Sequence, residues 1–153
     1  MITVYSLFKF LHIVGAIGWI GGFITFSILS MHAAREKDPA VLAVMTGLMR
    51  LNGMVVIGPA SALTLLAGIM MIAVSGLGLP LWVIWGFAAM ILAVALGVTL
   101  IRRANEEVRA VVTTTQPDDP HLRALQRRLA PLNTINVLVL LSAVWAMVSK
   151  PTL

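Results

Sequence analysis

Four long apolar stretches alternate with shorter polar connections along the chain. They cover residues 4–31, 54–74, 81–101 and 132–149. A helix rises about 1.5 Å per residue, so ~20 residues cross the ~30 Å hydrocarbon core of a bilayer. The pattern predicts an all-α fold, a bundle of four transmembrane helices in one integral membrane domain over residues 1–153. The composition agrees, because 59% of the residues are hydrophobic and the mean hydropathy is +0.98.

Two polar connections contain an Asp-Pro pair, Asp38-Pro39 and Asp119-Pro120. Aspartate caps free backbone N–H groups and proline suits the first helical position, so the second and fourth helices are expected to begin there. Further along these helices, Gly58-Pro59 and Pro131 are expected to introduce kinks. The third helix is expected to continue past residue 101 through Arg109.

The segments that begin with the two Asp-Pro pairs are similar to each other. Shifting residues 38–57 by 81 positions onto residues 119–138 gives seven identities in twenty. One interpretation is a parallel repeat of two helical hairpins. The other is shared helix-start chemistry together with common apolar residues.

Charged residues are confined almost wholly to two connections. All six acidic residues and nine of the eleven lysines and arginines lie between the first and second or between the third and fourth apolar stretches, and residues 75–80 carry none. By the positive-inside rule these connections are cytoplasmic and both termini face outward. The net charge of +5 then reflects orientation in the membrane, and nucleic-acid binding is not expected.

The first apolar stretch contains two titratable side chains, Lys9 and His12. Residues three apart share a helix face, and ionisable groups within a membrane are costly and commonly functional. Trp19 continues this face. A strip without side chains lies beside it, formed by Gly15, Gly18 and Gly22. Such a strip either lets another helix approach closely or leaves a slot for a flat ligand next to His12.

The residues alone leave three roles open for His12. The imidazole suits the axial position of a b-type haem, with Lys9 near a propionate. It also suits copper, with thioether ligands from methionines at comparable depth, namely Met70, Met71 and Met90. In the third alternative, His12 donates a hydrogen bond to a carbonyl of another helix and Lys9 extends its ammonium toward the membrane surface.

Other chemistry is scarce in this sequence. The absence of cysteine excludes disulfides, thiolate metal sites and Fe–S clusters. The apolar stretches hold no acidic residue, so a proton relay or a cation-coupled transport site is not expected, and no catalytic triad or phosphate loop is present. The sequence therefore does not favour an enzyme. Six polar side chains in or near the apolar stretches could hydrogen-bond across helices, namely Asn52, Asn133, Asn136, Ser61, Thr64 and Ser142.

Short motifs resemble three membrane families. The order Lys9-x-x-His12, Trp19, Gly22 is similar to the opening helix of HemJ-type protoporphyrinogen oxidase, a four-helix haem-binding family. The element Trp19-Ile20-Gly21-Gly22 resembles the Trp-x-Gly-Gly element of the copper-resistance D (CopD) membrane domain. The whole chain resembles a third group, bacterial four-helix integral membrane proteins without an assigned function, in residues 58–68 and in Lys150-Pro151.

The HemJ-type resemblance implies haem or porphyrin binding, with His12 and Lys9 in the positions of that family's histidine and lysine. Two further basic residues of that family have no counterpart, since residues 82–86 contain no lysine and residues 26–28 no arginine. We therefore expect tetrapyrrole binding without oxidation of protoporphyrinogen. Copper handling is the second expectation. The third is a small accessory subunit of a larger membrane complex, and a homo-oligomer is also expected. The bacterial resemblance implies the lipid bilayer of the cytoplasmic (inner) membrane.

Overall fold

The computed structural model describes residues 3–76, 78–112 and 120–150. Within these ranges the chain is helical and contains no strand, which confirms the predicted all-α fold. Four helical stretches of the described chain are long and apolar enough to cross a membrane. They cover Val4–Ala33, Pro39–Ser75, Leu81–Val108 and Arg127–Ser149.

The described residues form α-helices joined in two places by short π-helical segments. The α-helices are α1 (Val4–Ala33), α2 (Pro39–Asn52), α3 (Gly58–Ser75), α4 (Leu81–Ala95), α5 (Arg102–Val112) and α6 (Pro120–Ser149). The π-helical segments are Gly53–Ile57, between α2 and α3, and Leu96–Ile101, between α4 and α5. Each membrane-crossing helix therefore extends beyond its apolar stretch.

Local sequence sets several helix ends. The Asp38 carboxylate accepts a hydrogen bond from the backbone N–H of Ala40 at 2.8 Å, and Pro39 is the first residue of α2, which confirms this predicted start. The described part of α6 covers Pro120–Ser149, and its expected cap Asp119 lies outside the described residues. Gly76 ends α3 with φ 63°, a left-handed conformation that glycine adopts without strain.

The first π-helical segment lies directly before Gly58-Pro59, where a kink is expected. Pro59 has no backbone N–H and cannot continue regular α-helical bonding. The backbone N–H of Gly58 bonds to the carbonyl of Gly53, five residues back. A Cβ on Gly58 would lie 3.3 Å from that oxygen, closer than most side chains approach. Glycine and proline together therefore favour the wider turn at this point.

The spans pack as two hairpins. α3 packs along α1 in the first hairpin, and α4 packs along α6 in the second. The hairpins meet where α1 contacts α6 and where α2 contacts α5. In the described part of the chain α3 and α4 do not pack together, although only residues 76–80 separate them. Ser75 at the end of α3 and Leu81 at the start of α4 lie on the side of the membrane that holds residues 3 and 150. We call this side the terminal side, and the opposite one the charged side.

Apolar side chains fill the space between the hairpins. α1 contributes Trp19, Phe23 and Phe26, which are 4–6% exposed. The same cluster contains Ala93 of α4 and Leu140 of α6. Large apolar residues cover the surfaces that face away from it, among them Ile17, Ile91 and Val148. Apolar side chains outside as well as inside suit a bundle surrounded by lipid.

Candidate cofactor site around His12

His12 is partly buried where α1 packs against α3. Its Nδ1 atom lies 2.8 Å from the carbonyl oxygen of Thr64. A carbonyl only accepts, so Nδ1 carries the proton and donates it. The other ring nitrogen, Nε2, has no hydrogen bond with any described residue. In neutral imidazole Nε2 then holds the lone pair, which is the arrangement that metal-binding histidines use.

Gly68 lets the His12 ring reach the backbone of α3. A Cβ on Gly68 would lie 3.1 Å from Nδ1 and 3.2 Å from Cε1 of His12. Gly68 is one helical turn beyond Thr64, whose carbonyl the ring binds. The missing side chain therefore makes the space that the ring occupies, and it helps to fix the ring orientation.

One face of α1 becomes more exposed toward the terminal side. Tyr5, His12, Trp19, Phe26 and Ala33 recur at intervals of seven residues and so share this face. Ala33, Phe26 and Trp19 are 4–6% exposed, whereas His12 and Tyr5 are partly exposed. His12 therefore lies about two helical turns from Trp19 and the closed core, toward the terminal side.

The glycine strip of α1 is in contact with the second span. A Cβ on Gly15 would lie 2.6 Å from Thr64 Oγ1, and one on Gly22 would lie 2.7 Å from Ile57 Cγ1. A Cβ on Gly18 would meet Ala60 Cβ at 3.2 Å. These contacts correspond to the helix-packing alternative for the strip. The second span therefore occupies the space beside Gly15, Gly18 and Gly22.

Lys9 and Trp19 lie on opposite sides of His12 along α1. Lys9 is exposed, three residues nearer the terminal side, and makes no ion pair with a described residue. Trp19 is 4% exposed and belongs to the core cluster, where it forms the closed end of the face that carries His12. Lys9 is thus accessible to an anionic group, and Trp19 is accessible only from within the bundle.

The methionines considered as copper ligands are on different helices. Met70 is 41% exposed and Met71 partly buried, both on α3. Met90 is on α4 and packs against the core cluster. α4 does not pack against α1 or α3 in the described part of the chain. Met90 therefore lies on a helix whose described backbone does not contact α1 or α3. The described residues also contain no group of three His, Cys, Asp or Glu side chains suited to a metal ion.

His32 provides a contrast with His12. Its Nδ1 lies 2.9 Å from the carbonyl oxygen of Ile28, four residues earlier on the same helix, and the side chain is exposed. His32 is twenty residues from His12, which is about 30 Å along α1. The two rings therefore do not share a ligand. The side chain of His121 lies outside the described residues.

The expectation that asparagines bond across helices is correct for Asn52 and wrong for two others. The side-chain Nδ2 of Asn52 donates to the carbonyl of Gly22 at 2.8 Å. Asn133 and Asn136 are buried, yet their side-chain nitrogens and oxygens have no hydrogen-bond partner in the described chain. The same face of α6 also carries Leu129 and Leu140, which are buried in the core cluster. Sequence spacing places these asparagines on one helix face but does not reveal what lies opposite.

Comparison with known proteins identifies the family. No curated protein and no solved structure matches the chain. The sequence model of one protein family, described as "Predicted integral membrane protein (DUF2269)", matches residues 6–151. This match confirms the resemblance to a group of integral membrane proteins without an assigned function. The chain belongs to this family of integral membrane proteins.

Proposed function

We propose that this multi-pass membrane protein binds haem b, or another tetrapyrrole, through Nε2 of His12. The supporting observation is the hydrogen bond from His12 Nδ1 to the Thr64 carbonyl, which leaves Nε2 with no described partner. Histidines that bind metals almost always donate from their second nitrogen to a carbonyl, carboxylate or water. The described spans offer no second histidine within reach, so His12 is the single protein ligand to the haem iron.

The surroundings of His12 suit a flat, largely apolar ligand with an anionic edge. The described residues of α3 and α4 do not pack together, so a cleft between them, bordered by apolar helices, would offer space beside the partly exposed ring. Exposed Lys9 lies one turn nearer the membrane surface, where it would pair with a propionate. Haem b, when bound, would supply a redox-active iron, and His12 would orient the haem. The packed α1–α3 interface holds the imidazole ring of His12 in place. No further catalytic group is assigned among the described residues, and we propose binding without catalysis.

We place the cleft on the outer face of the bacterial cytoplasmic membrane. Nine of the eleven basic residues lie in the connections of the charged side. The positive-inside rule makes that side cytoplasmic, so the termini and His12 are on the outer half. The ligand then reaches the cleft from the lipid or from the outer surface.

Absorption spectroscopy of the detergent-purified protein tests the proposal. Titration with haem b is expected to give a shifted Soret band that saturates at one haem per chain. His12→Ala is expected to abolish the shift, because the axial nitrogen is lost. His32→Ala is the matched control, since His32 also donates from Nδ1 to a carbonyl but lies at the charged end of α1. Identical titrations of His12→Ala and the parent protein would contradict the proposal.

The same preparation distinguishes the alternatives. Stoichiometric copper by elemental analysis, lost in His12→Ala and without a Soret band, would support copper handling. That outcome requires a thioether near Nε2, and Met71 is the candidate that shares the α3 face of Thr64 and Gly68. Neither haem nor copper, together with a fixed partner that co-purifies from membranes, would support an accessory subunit of a larger complex.

A further inference from the structure

Two asparagines lie at the centre of the bundle without hydrogen bonds. Asn133 is 1% exposed and Asn136 is 0% exposed. The Nδ2 and Oδ1 atoms of both side chains have no partner among the described residues. A buried polar group without a partner loses the hydrogen bonds that it makes to water in the open chain. Within a membrane this loss is larger, since no solvent replaces the missing partner.

The chemistry of the pair indicates a small neutral occupant. Each amide offers two donors and one acceptor oxygen with two lone pairs. None of the buried described residues is charged, so no group compensates an ion at this depth. An occupant that donates and accepts at once satisfies both amides, and water is the smallest molecule that does so with two to four partners.

The packing around the asparagines has to open before water reaches them, because protein atoms fully enclose all four polar atoms. α6 contacts the π-helical segment Leu96–Ile101 of the third span. Pro131 lies two residues before Asn133 and removes a backbone N–H from α6. Leu96–Ile101 and the Pro131 region of α6 therefore both deviate from regular α-helical bonding. We expect the two spans to separate most easily at this contact.

We infer that Asn133 and Asn136 form a water-binding site in a second, more open packing of the bundle. In this packing α6 moves away from the third span and water enters from the charged side, because Asn133 is only five residues from Arg128 along α6. The closed packing excludes water and leaves the amides without partners, and the open packing hydrates them. The asparagines thereby keep both packings accessible to the chain.

Single-cysteine labelling in lipid vesicles tests this inference, since the chain contains no cysteine of its own. Asn136→Cys retains Asn133 as the hydrated amide, and Leu140→Cys, on the same face and 5% exposed, is the matched apolar control. The probe is 2-aminoethyl methanethiosulfonate in the aqueous phase. The thiolate is the reactive form and needs water, so Asn136→Cys is expected to react roughly tenfold faster than Leu140→Cys.

A double variant separates hydration by the amide from general loosening of α6. Asn136→Cys combined with Asn133→Leu is expected to react at the slow rate of the Leu140→Cys control. Equal rates for Asn136→Cys and Leu140→Cys, slow or fast, would overturn the inference. So would a double variant that reacts as fast as Asn136→Cys alone.

Water-edited solid-state NMR of the unsubstituted chain gives a readout that does not depend on the folding of variants. Magnetisation is expected to pass from water to the side-chain NH₂ groups of Asn133 and Asn136 at short mixing times. Asn52 is the internal reference, because its Nδ2 already donates to the Gly22 carbonyl. Transfer to Asn133 and Asn136 that is weaker than transfer to Asn52 would overturn the inference.

Discussion

Single glycines on α1 fix how closely the first two spans approach. A Cβ on Gly15 would lie 2.6 Å from Thr64 Oγ1, 2.9 Å from the Thr64 backbone nitrogen and 3.0 Å from the Ala60 carbonyl oxygen. Two of these atoms belong to the backbone and cannot move without shifting α3. The close approach therefore depends on the absence of a side chain at Gly15.

Gly15→Ala is expected to lower the free energy of unfolding by about 1–3 kcal/mol, the usual cost of overpacking. Gly21→Ala is the matched control on the same helix, because a Cβ there meets nothing within 4 Å. It is expected to be neutral, or to stabilise by up to ~1 kcal/mol through helix propensity. Unfolding in mixed micelles by SDS titration measures both, and equal effects would show that α1 and α3 are less tightly packed than described.

Gly68→Ala tests whether the position of the His12 ring affects haem binding without a large change in the free energy of unfolding. The new Cβ would stand 3.1 Å from His12 Nδ1, which is the end of a side chain that can give way. The free energy of unfolding is expected to change by less than ~1 kcal/mol. Haem b is expected to bind more weakly and with a shifted Soret maximum. Gly47→Ala, where a Cβ has no neighbour within 4 Å, is expected to leave both unchanged.

Residue chemistry was only partly predictable at the candidate site. The sequence singled out His12, because an ionisable side chain in an apolar stretch is unusual. The Thr64 carbonyl was not predictable as its partner, since it lies 52 residues away and every backbone offers carbonyls. The glycines were ambiguous for another reason. Close helix packing and a ligand slot both require an absent Cβ, and only the arrangement of the second span distinguishes them.

The π-helical segment Gly53–Ile57 holds one residue more than an α-helical turn would. Deleting Val55, which is 62% exposed, is expected to convert this segment to α-helix and to preserve the orientation of α2 and α3. Deleting Leu66, also 62% exposed but within regular α3, rotates the remainder of that helix by about 100°. Gly68 then turns away from the His12 ring.

Haem binding and thermal unfolding of the two deletion variants check this expectation. The Val55 deletion is expected to retain both properties, and the Leu66 deletion to lose haem binding and to unfold at a lower temperature. If the Val55 deletion lowered haem binding and thermal stability as much as the Leu66 deletion, the π-helical segment would not contain an extra residue that can be removed.

Helix positions were largely predictable, because hydropathy and caps are local properties. Asp38 and Pro39 correctly predicted the start of α2, and the apolar stretches predicted the positions of all four spans. The π-helical segments were not predicted. Pro59 predicted a kink but not that the kink would be a π-helical segment. The second π-helical segment, Leu96–Ile101, contains no Gly-Pro pair that would predict it.

At the scale of the whole molecule, the proposed orientation exposes the turn between α3 and α4 to the outside. Ser75→Cys, on the terminal side, is expected to react with a membrane-impermeant maleimide in intact cells. Lys37→Cys, between α1 and α2, is expected to react only after permeabilisation, because the positively charged connections face the cytoplasm. Both positions are exposed, so access to the reagent alone decides the result. The reverse pattern would move His12 to the inner half of the membrane.

The pairing of the spans into hairpins agrees with their order, since short connections favour neighbours. The separation of α3 from α4 was not predictable in this way, because the short connection of residues 76–80 favours packing of α3 on α4. In the structure each of these helices packs on its other neighbour, α1 or α6. This separation is thus a property of the whole bundle, and the proposed cleft beside His12 depends on it.

The protonation of the two His12 ring nitrogens tests the central claim most directly. Solid-state ¹⁵N spectra of histidine-labelled protein in lipid, assigned with His12→Ala and His32→Ala, report each nitrogen separately. The account predicts that Nδ1 is protonated and bonded, that Nε2 is unprotonated, and that haem b displaces the Nε2 resonance of His12 alone. A protonated Nε2, or an Nε2 resonance that haem b leaves unchanged, would contradict it.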